Sequence, residues 1–367
     1  MNITIIGAGN IGFAAAAHLA SLGHDITVYT RTEAKARVLC QGPVIASGCL
    51  EGSFAVRGTT DLSQALHAAD LVMVFTWANA HSAVAEALAT HADHSLTVLI
   101  CNGNWGAYET YDALSRQTAL RGSVIAETAG MPYVGHWSFT DDLRIAVNVI
   151  GIKTTTQMSV TRIGACNGVR DAAVRSLLSF MSDSYGHVDL ASSVFSTSLS
   201  APNPIIHAPL CLLNMARIEQ GQSFHVLVDG FNDRTAHLVK GIDDERAALA
   251  SALHADYEHI VDQLNGFWDT RYASLPEVFR SNSVYSSLPG PTDPFHRFIQ
   301  EDIPYGIAPL VSLGRVLNVP TPTCEAILTI YRQYFDNAFS GPVFNADTLA
   351  ALQAVKLSDY SLDGEER

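Results

Sequence analysis

The chain is predicted to be an α/β protein in two parts, a doubly wound parallel sheet followed by an all-helical second domain. Three observations carry this. A glycine-rich turn joins an apolar strand to an Ala-rich helix near the first residues. Short, branched, apolar segments then alternate with helical stretches through the first half. Beyond Ser193 the strand pattern stops and long helical segments take over. A length of 367 residues is natural for two domains, each with its own core. The change of pattern sets them at 1–192 and 193–367.

Residues 3–6 form the first strand and lead into Gly7-Ala8-Gly9-Asn10-Ile11-Gly12, and residues 13–20 continue as a helix. In such a Rossmann turn the first glycine makes the tight bend and the second lets a phosphate reach the backbone. The third packs helix on strand. The free N–H groups of the helix start can hold a pyrophosphate. Gly7, Gly9, Asn10, Ile11 and Gly12 are therefore candidate dinucleotide contacts. The second strand, residues 25–30, ends where an NAD site usually carries Asp or Glu for the ribose 2′-hydroxyl. This chain has Thr30-Arg31-Thr32 there, with Lys35 and Arg37 on the next turn. A guanidinium with hydroxyls suits a 2′-phosphate, and the missing carboxylate removes the repulsion that would reject it. The pattern favours NADP(H) over NAD(H), with Thr30, Arg31, Thr32 and Lys35 as contacts. The same cations also read as a solvated helix start, partly offset by Glu33.

Residues 71–75, 96–100 and 123–126 are branched and apolar, as strands buried on both faces should be. Helical stretches with Ala-rich faces lie at 63–69, 82–92 and 108–118. Loops at the strand C-termini line the cofactor crevice of such a sheet. Here they are Thr76-Trp77-Ala78-Asn79 and Cys101-Asn102-Gly103-Asn104. Asn102 is a candidate neighbour of the nicotinamide, and a loop amide capping the next helix is an equally ordinary reading. Residues 144–151 and 157–161 alternate in polarity and are expected to pair antiparallel around a turn near Lys153. A helix over 169–182 and a strand over 187–190 complete the sheet. In the second half, helices are expected over 210–220, 233–264, 307–317 and 324–339, and residues 356–367 are polar and acidic, a frayed end.

Composition narrows the function. A net charge of −14 argues against nucleic acid or an anionic membrane as partner, and means that anionic substrates need a local positive site. Six scattered cysteines, without CxxC spacing, fit free thiols in a reducing cytoplasm, and no leader is expected ahead of the first strand. The histidines show no HxxxH or HExxH spacing, so no metal site is expected. No apolar stretch is long enough to span a bilayer. A homodimer is compatible with the sequence, which does not set the oligomeric state.

Two places in the helical half could carry acid–base chemistry. In Asn203-Pro204-Ile205-Ile206-His207-Ala208-Pro209, Pro209 is expected to mark a helix start near His207. The helix dipole there would lower the proton affinity of the imidazole. Asn203 is a candidate for holding a substrate carboxylate. In Glu301-Asp302-Ile303-Pro304-Tyr305-Gly306, Asp302 precedes another helix start. It reads either as an ordinary N-cap or as a carboxylate that orients a histidine ring. A lone histidine is also often structural, and spacing does not choose.

These segments resemble the opine dehydrogenase family, the octopine and nopaline dehydrogenases and their bacterial relatives. The family's N-P-x-x-H-P segment and following L-N-x-x-x-I-E helix correspond to Asn203 to Pro209 and to Leu213-Asn214-Met215-Ala216-Arg217-Ile218-Glu219. Its E-D-[IV]-P-[FY]-G-[LI]-x-P-L stretch corresponds to Glu301-Asp302-Ile303-Pro304-Tyr305-Gly306-Ile307-Ala308-Pro309-Leu310. Asn318-Val319-Pro320-Thr321-Pro322 and Asp244-Glu245-Arg246 also match, so the likeness spans nearly the whole chain. It implies that His207 and Asp302 are a catalytic pair. It also implies reductive condensation of an α-keto acid with the amino group of an amino acid, through an imine reduced by NAD(P)H. Two departures, Val134-Gly135-His136 and the extra Ala208, keep any particular amino acid from being carried over. A reductase of 2-keto or 2-hydroxy acids, and a nucleotide-binding sensor without turnover, are the competing readings.

Overall fold

The computed structural model describes residues 1–164, 171–286, 288–336, 339 and 341–354. Cys166, the start of the helix expected over 169–182, and the end expected to fray lie outside the described residues. The chain divides into two compact units. One comprises Met1–Thr76 and Ala80–Val194, and the other Trp77–Asn79 and the described residues from Phe195 onward.

In the first unit the strands are β1 (Asn2–Ile6), β2 (Asp25–Tyr29), β3 (Val44–Gly48), β4 (Gly52–Phe54), β5 (Arg57–Thr59) and β6 (Leu71–Val74). They continue as β7 (Thr97–Ile100), β8 (Val124–Thr128), β9 (Tyr133–Phe139), β10 (Ile145–Ile152), β11 (Thr155–Arg162) and β12 (His187–Leu190). Helices α1 (Asn10–Ser21), α2 (Glu33–Gln41), α3 (Leu62–His67), α4 (His81–His91), α5 (Gly106–Ser115) and α6 (Ala172–Tyr185) connect them. Eight strands form one sheet in the order β12-β11-β8-β7-β6-β1-β2-β5. Its centre is parallel, with Ile3 opposite both Ile26 and Leu71. One face packs under α1 and α6 and the other under α3, α4 and α5, which is the doubly wound arrangement. Strands β6 and β8 are buried at every position, hence the apolar run of β6 and of Val124–Ala126 in β8, which ends on the buried polar Glu127 and Thr128.

One expectation fails here. β10 and β11 do not pair with each other. β10 pairs with β3 and β9 in a second sheet of four strands, order β4-β3-β10-β9, whereas β11 pairs antiparallel with β8 in the large sheet. The Lys153–Thr154 corner passes the chain between sheets: Lys153 N–H donates to Pro132 C=O and His187 N–H to Thr154 C=O, both at 2.9 Å. Alternation in β10 reflects a sheet buried on one face only. That small sheet packs on α1, whose Ala14 to Ala17 are fully buried. Small side chains let one helix meet two sheets.

The second unit is helical: α7 (Val194–Leu199), α8 (Pro202–Leu213), α9 (Met215–Glu219), α10 (Asp233–Leu253), α11 (Ile260–Trp268) and α12 (Leu275–Ser281). They are followed by α13 (Ser283–Ser286), α14 (Arg297–Gln300), a π-helical turn Ile303–Ile307, α15 (Ala308–Leu317), α16 (Pro322–Tyr334) and α17 (Ala346–Ala354). The stretch expected as one helix over 233–264 is two, because His254 turns left-handed at φ 52° and ends α10. The Asn232 side chain starts α10 by accepting from Arg234 and Thr235 N–H. No helix among the described residues is long and apolar enough to cross a membrane.

Candidate active site

The glycine turn has the geometry a dinucleotide needs. Gly7 sits at φ 120°, where a Cβ would lie 2.8 Å from the Phe75 carbonyl carbon. At Gly12 a Cβ would meet Gly7 C=O at 1.8 Å, so helix and turn are in direct contact. At Gly9, by contrast, nothing lies within 4 Å of a Cβ position, and the side has room for a phosphate beside the first N–H groups of α1. Ile11 is half-buried and packs on the core. The Asn10 side chain is engaged by the small sheet: its Oδ1 accepts from Trp137 N–H at 3.1 Å.

At the end of β2, Thr30 is buried and its hydroxyl accepts from Thr32 N–H at 3.2 Å. Arg31 and Thr32 are exposed. Arg37 faces Glu33 at 3.8 Å. Lys35 instead folds back, and its Nζ donates to Ala8 C=O at 2.7 Å. Asn102 is 2% exposed in a left-handed conformation, and its N–H donates to Thr128 Oγ1. It does not cap α5, where Trp105 is the N-cap and no side chain bonds. Its Oδ1 is buried without a hydrogen-bond partner, which fits an acceptor for a ligand amide. The open Gly9 cradle and this orphaned carbonyl together fit a nicotinamide dinucleotide.

In the second unit α8 begins at Pro202, not near His207, so the dipole argument for the imidazole fails. His207 lies in the helix interior, and Pro209 is inside it too. Pro202 and Pro204 fit the first turn, where a missing N–H costs nothing, and carbonyls at the start and in the middle of the helix are held from outside. Arg246 Nη1 donates to Ala201 C=O at 2.7 Å, and Gln263 Nε2 donates to Ser200 C=O at 2.6 Å. Tyr331 OH donates to Ala208 C=O at 2.8 Å. Asn203 is half-buried in the first turn of α8.

His207 Nδ1 and Asp302 Oδ2 are 2.7 Å apart. The ordinary N-cap reading of Asp302 is excluded, since its side chain caps no backbone N–H. The two elements meet closely because Gly306 of the π-helical turn lies against Pro204: a Cβ there would sit 2.1 Å from Pro204 Cβ. Phe298 stacks on the imidazole, with ring centroids 3.6 Å apart and planes at 19°. Burial opposes the charged form of each partner. It pulls His207 down, with the Arg297 cation adding to the effect, and it pushes Asp302 up to about 7 against Arg297. The pair therefore holds one proton above neutrality and two below it. Since Nδ1 is tied to Asp302, the second proton changes the state of Nε2, which bonds to nothing among the described residues. Nε2 is a lone pair in the first state and an N–H in the second.

Three neighbours were not singled out by the sequence. Arg297 Nε lies 3.8 Å from Glu301 Oε2, and Glu301 Oε1 accepts from Ala78 N–H at 2.9 Å. His296 caps α14 and is lowered to about 4 by burial and then by Arg297. Glu301 stands in the stretch that carries the family resemblance, and Arg297 and His296 have no signal of their own. Only their place beside His207 gives them meaning, although Arg297 lies one turn before Asp302 and could have been sought there.

Residues 190–335 match the family described as NAD/NADP octopine/nopaline dehydrogenase, alpha-helical domain, and residues 3–150 match ketopantoate reductase PanE/ApbA. An opine dehydrogenase of Arthrobacter sp. (strain 1C) is 23% identical over 342 residues, covering 91% of each chain. The chain is similar to opine dehydrogenases over nearly its whole length. Octopine dehydrogenase solved with NADH and L-arginine superposes with a TM-score of 0.73 at 16% identity, over 98% of this chain and 100% of that one. Yersinopine dehydrogenase with NADP+ gives 0.67 at 14% identity, over 96% and 97%. Opine dehydrogenases are oxidoreductases acting on CH–NH bonds that join a keto acid to an amino acid, with NAD(P)H as the reductant. This chain is an enzyme of that class.

Proposed function

We propose that this protein acts as an opine dehydrogenase and makes an N-(carboxyalkyl) amino acid by NADPH-dependent condensation of an α-keto acid with the α-amino group of an amino acid. The buried His207–Asp302 pair, assembled from positions 95 residues apart, is the observation that carries the reading. The keto acid and amine lose water to form a C=N bond. When bound, the dihydronicotinamide supplies the hydride that reduces its carbon. The nitrogen must gain a proton in the same conversion, and His207 Nε2 is the group that donates it. Asp302 holds the ring through Nδ1, so that only Nε2 gains and loses the exchangeable proton. Phe298 sets the plane of the ring. Arg297, the cation beside the pair, is a local positive group for substrate carboxylates in a chain of net charge −14, and Asn203 offers an amide from the first turn of α8.

Preference for NADPH rests on Arg31: it is exposed at the end of β2, and no carboxylate stands where an NAD site would place one. Gly7, Gly9, Asn10, Ile11, Gly12 and Asn102 would hold the rest of the dinucleotide. Five reduced cysteines among the described residues suit a reducing compartment, the cytoplasm.

The test is NADPH oxidation with a panel of α-keto acids, each with and without amino acids. Turnover that requires both partners is expected. Turnover with keto acid alone would assign a keto acid reductase, the reading that the ketopantoate reductase match over residues 3–150 favours. Cofactor binding without any turnover would leave a nucleotide-holding protein.

A further inference from the structure

The three cations that follow β2 do not form one cluster. Arg31 stands exposed at the strand end, Arg37 is turned toward Glu33, and Lys35 reaches away from both to the glycine turn. Its Nζ donates to the carbonyl of Ala8, the residue between Gly7 and Gly9. The ammonium also lies 4.5 Å from the Trp137 ring centroid and 5.9 Å from that of Phe13, and the two rings meet edge to face at 5.1 Å. Trp137 in turn donates its backbone N–H to Asn10, the first residue of α1. So strand β9, a segment absent from the sequence-based expectations, clamps the turn through Asn10 and through Lys35. Burial lowers the Lys35 ammonium, and the aromatic face replaces part of the water it has lost. An ammonium has three donors; Ala8 uses one, and the others have no partner among the described residues.

We propose that Lys35 serves the diphosphate of the dinucleotide and not its 2′-phosphate, with Trp137 holding the ammonium at the glycine turn. The reading rests on the dinucleotide site described above and divides its cations by task. Arg31 reads the 2′-phosphate and decides between the two cofactors. Lys35 compensates the diphosphate charge that both cofactors carry and braces the backbone that binds it. It therefore contributes affinity without selectivity.

Titration calorimetry of the substrate-free protein with NADPH and with NADH separates the roles. Lys35→Met is expected to raise Kd about tenfold for both cofactors alike, the loss of one charge-assisted contact. Lys35→Gln, which keeps a donor for Ala8 and removes the charge, should weaken both equally as well. Trp137→Leu should do the same to a smaller extent. Arg31→Ala should weaken NADPH alone. A Lys35 variant that loses NADPH and keeps NADH, or that changes neither, overturns the proposal. If Arg31→Ala affects both cofactors equally, the NADPH preference fails while the assignment of Lys35 stands. Thermal unfolding of each variant confirms that binding is being compared on folded protein.

Discussion

The glycine turn of the first unit and the His207–Asp302 pair of the second are built by opposite means. In the turn, the groups offered to a ligand are backbone N–H donors on consecutive residues, and glycine is needed because any Cβ at Gly7 or Gly12 would strike the backbone. In the pair, the reactive groups are two side chains brought together by packing, both desolvated and both shifted toward neutrality. The first arrangement binds a constant charge. The second moves one proton, which needs groups whose protonation is balanced near the working pH. Binding and proton transfer should therefore be separable by mutation.

The largest effect is expected from His207→Ala, which removes the proton donor. The turnover rate should fall about 10²–10⁴-fold, while calorimetric Kd for the cofactor stays unchanged. A matching loss of cofactor affinity would break the separation. Asp302→Asn comes next, with a fall of about 10²-fold or more and an altered pH profile. In the parent enzyme the pair takes up its second proton near the Asp302 value of about 7. Reductive turnover needs that proton, so its rate should be high on the acid side and decline as pH rises through that value. Oxidation of the product needs the lone pair and should rise over the same range. Asp302→Asn should flatten both curves; an unchanged profile would assign the titration to another group.

Gly12→Ala probes the other region. Its Cβ would lie 1.8 Å from Gly7 C=O, so a loss of about 1–3 kcal/mol in stability is expected. Cofactor Kd should rise as well, and the protonation of the pair should not change. Gly306→Ala is the counterpart, with a Cβ 2.1 Å from Pro204 Cβ. A cost of about 1–3 kcal/mol in thermal unfolding is expected, with a fall in turnover of less than about tenfold. Cofactor affinity should be retained. Unaltered turnover in Gly306→Ala would show that the spacing of α8 and the π-helical turn is looser than the close contact implies.

Legibility in the sequence follows the same division. The turn between β1 and α1 is a local object, and its glycines report their own backbone requirements. The central strands are legible because burial on both faces leaves unbroken apolar runs. Strands β3, β4 and β5 are not: Val44–Gly48, Gly52–Phe54 and Arg57–Thr59 are short, polar or glycine-rich; β3 and β5 pair with the distant β10 and β2, and β4 is an edge strand on β3. β10 and β11 are legible as strands but not as members of different sheets, since adjacency along the chain does not set adjacency in a sheet. The family resemblance marks His207 and Asp302, whereas their spacing along the chain does not. The helix start inferred from Pro209 was misplaced because outside contacts, such as Arg246 on Ala201, stabilise a helix that contains it.

The amino-acid sequence by itself determined the dinucleotide turn, the layered α/β half, the helical half and the residue types available for acid–base work. Tertiary structure alone decided that Asp302 faces His207 and not a helix end, and that Lys35 belongs to the glycine turn and not to the end of β2. The physical reason is range. Backbone conformation and periodic burial are set within a few residues, whereas a side chain's proton affinity and partners depend on what distant segments place against it.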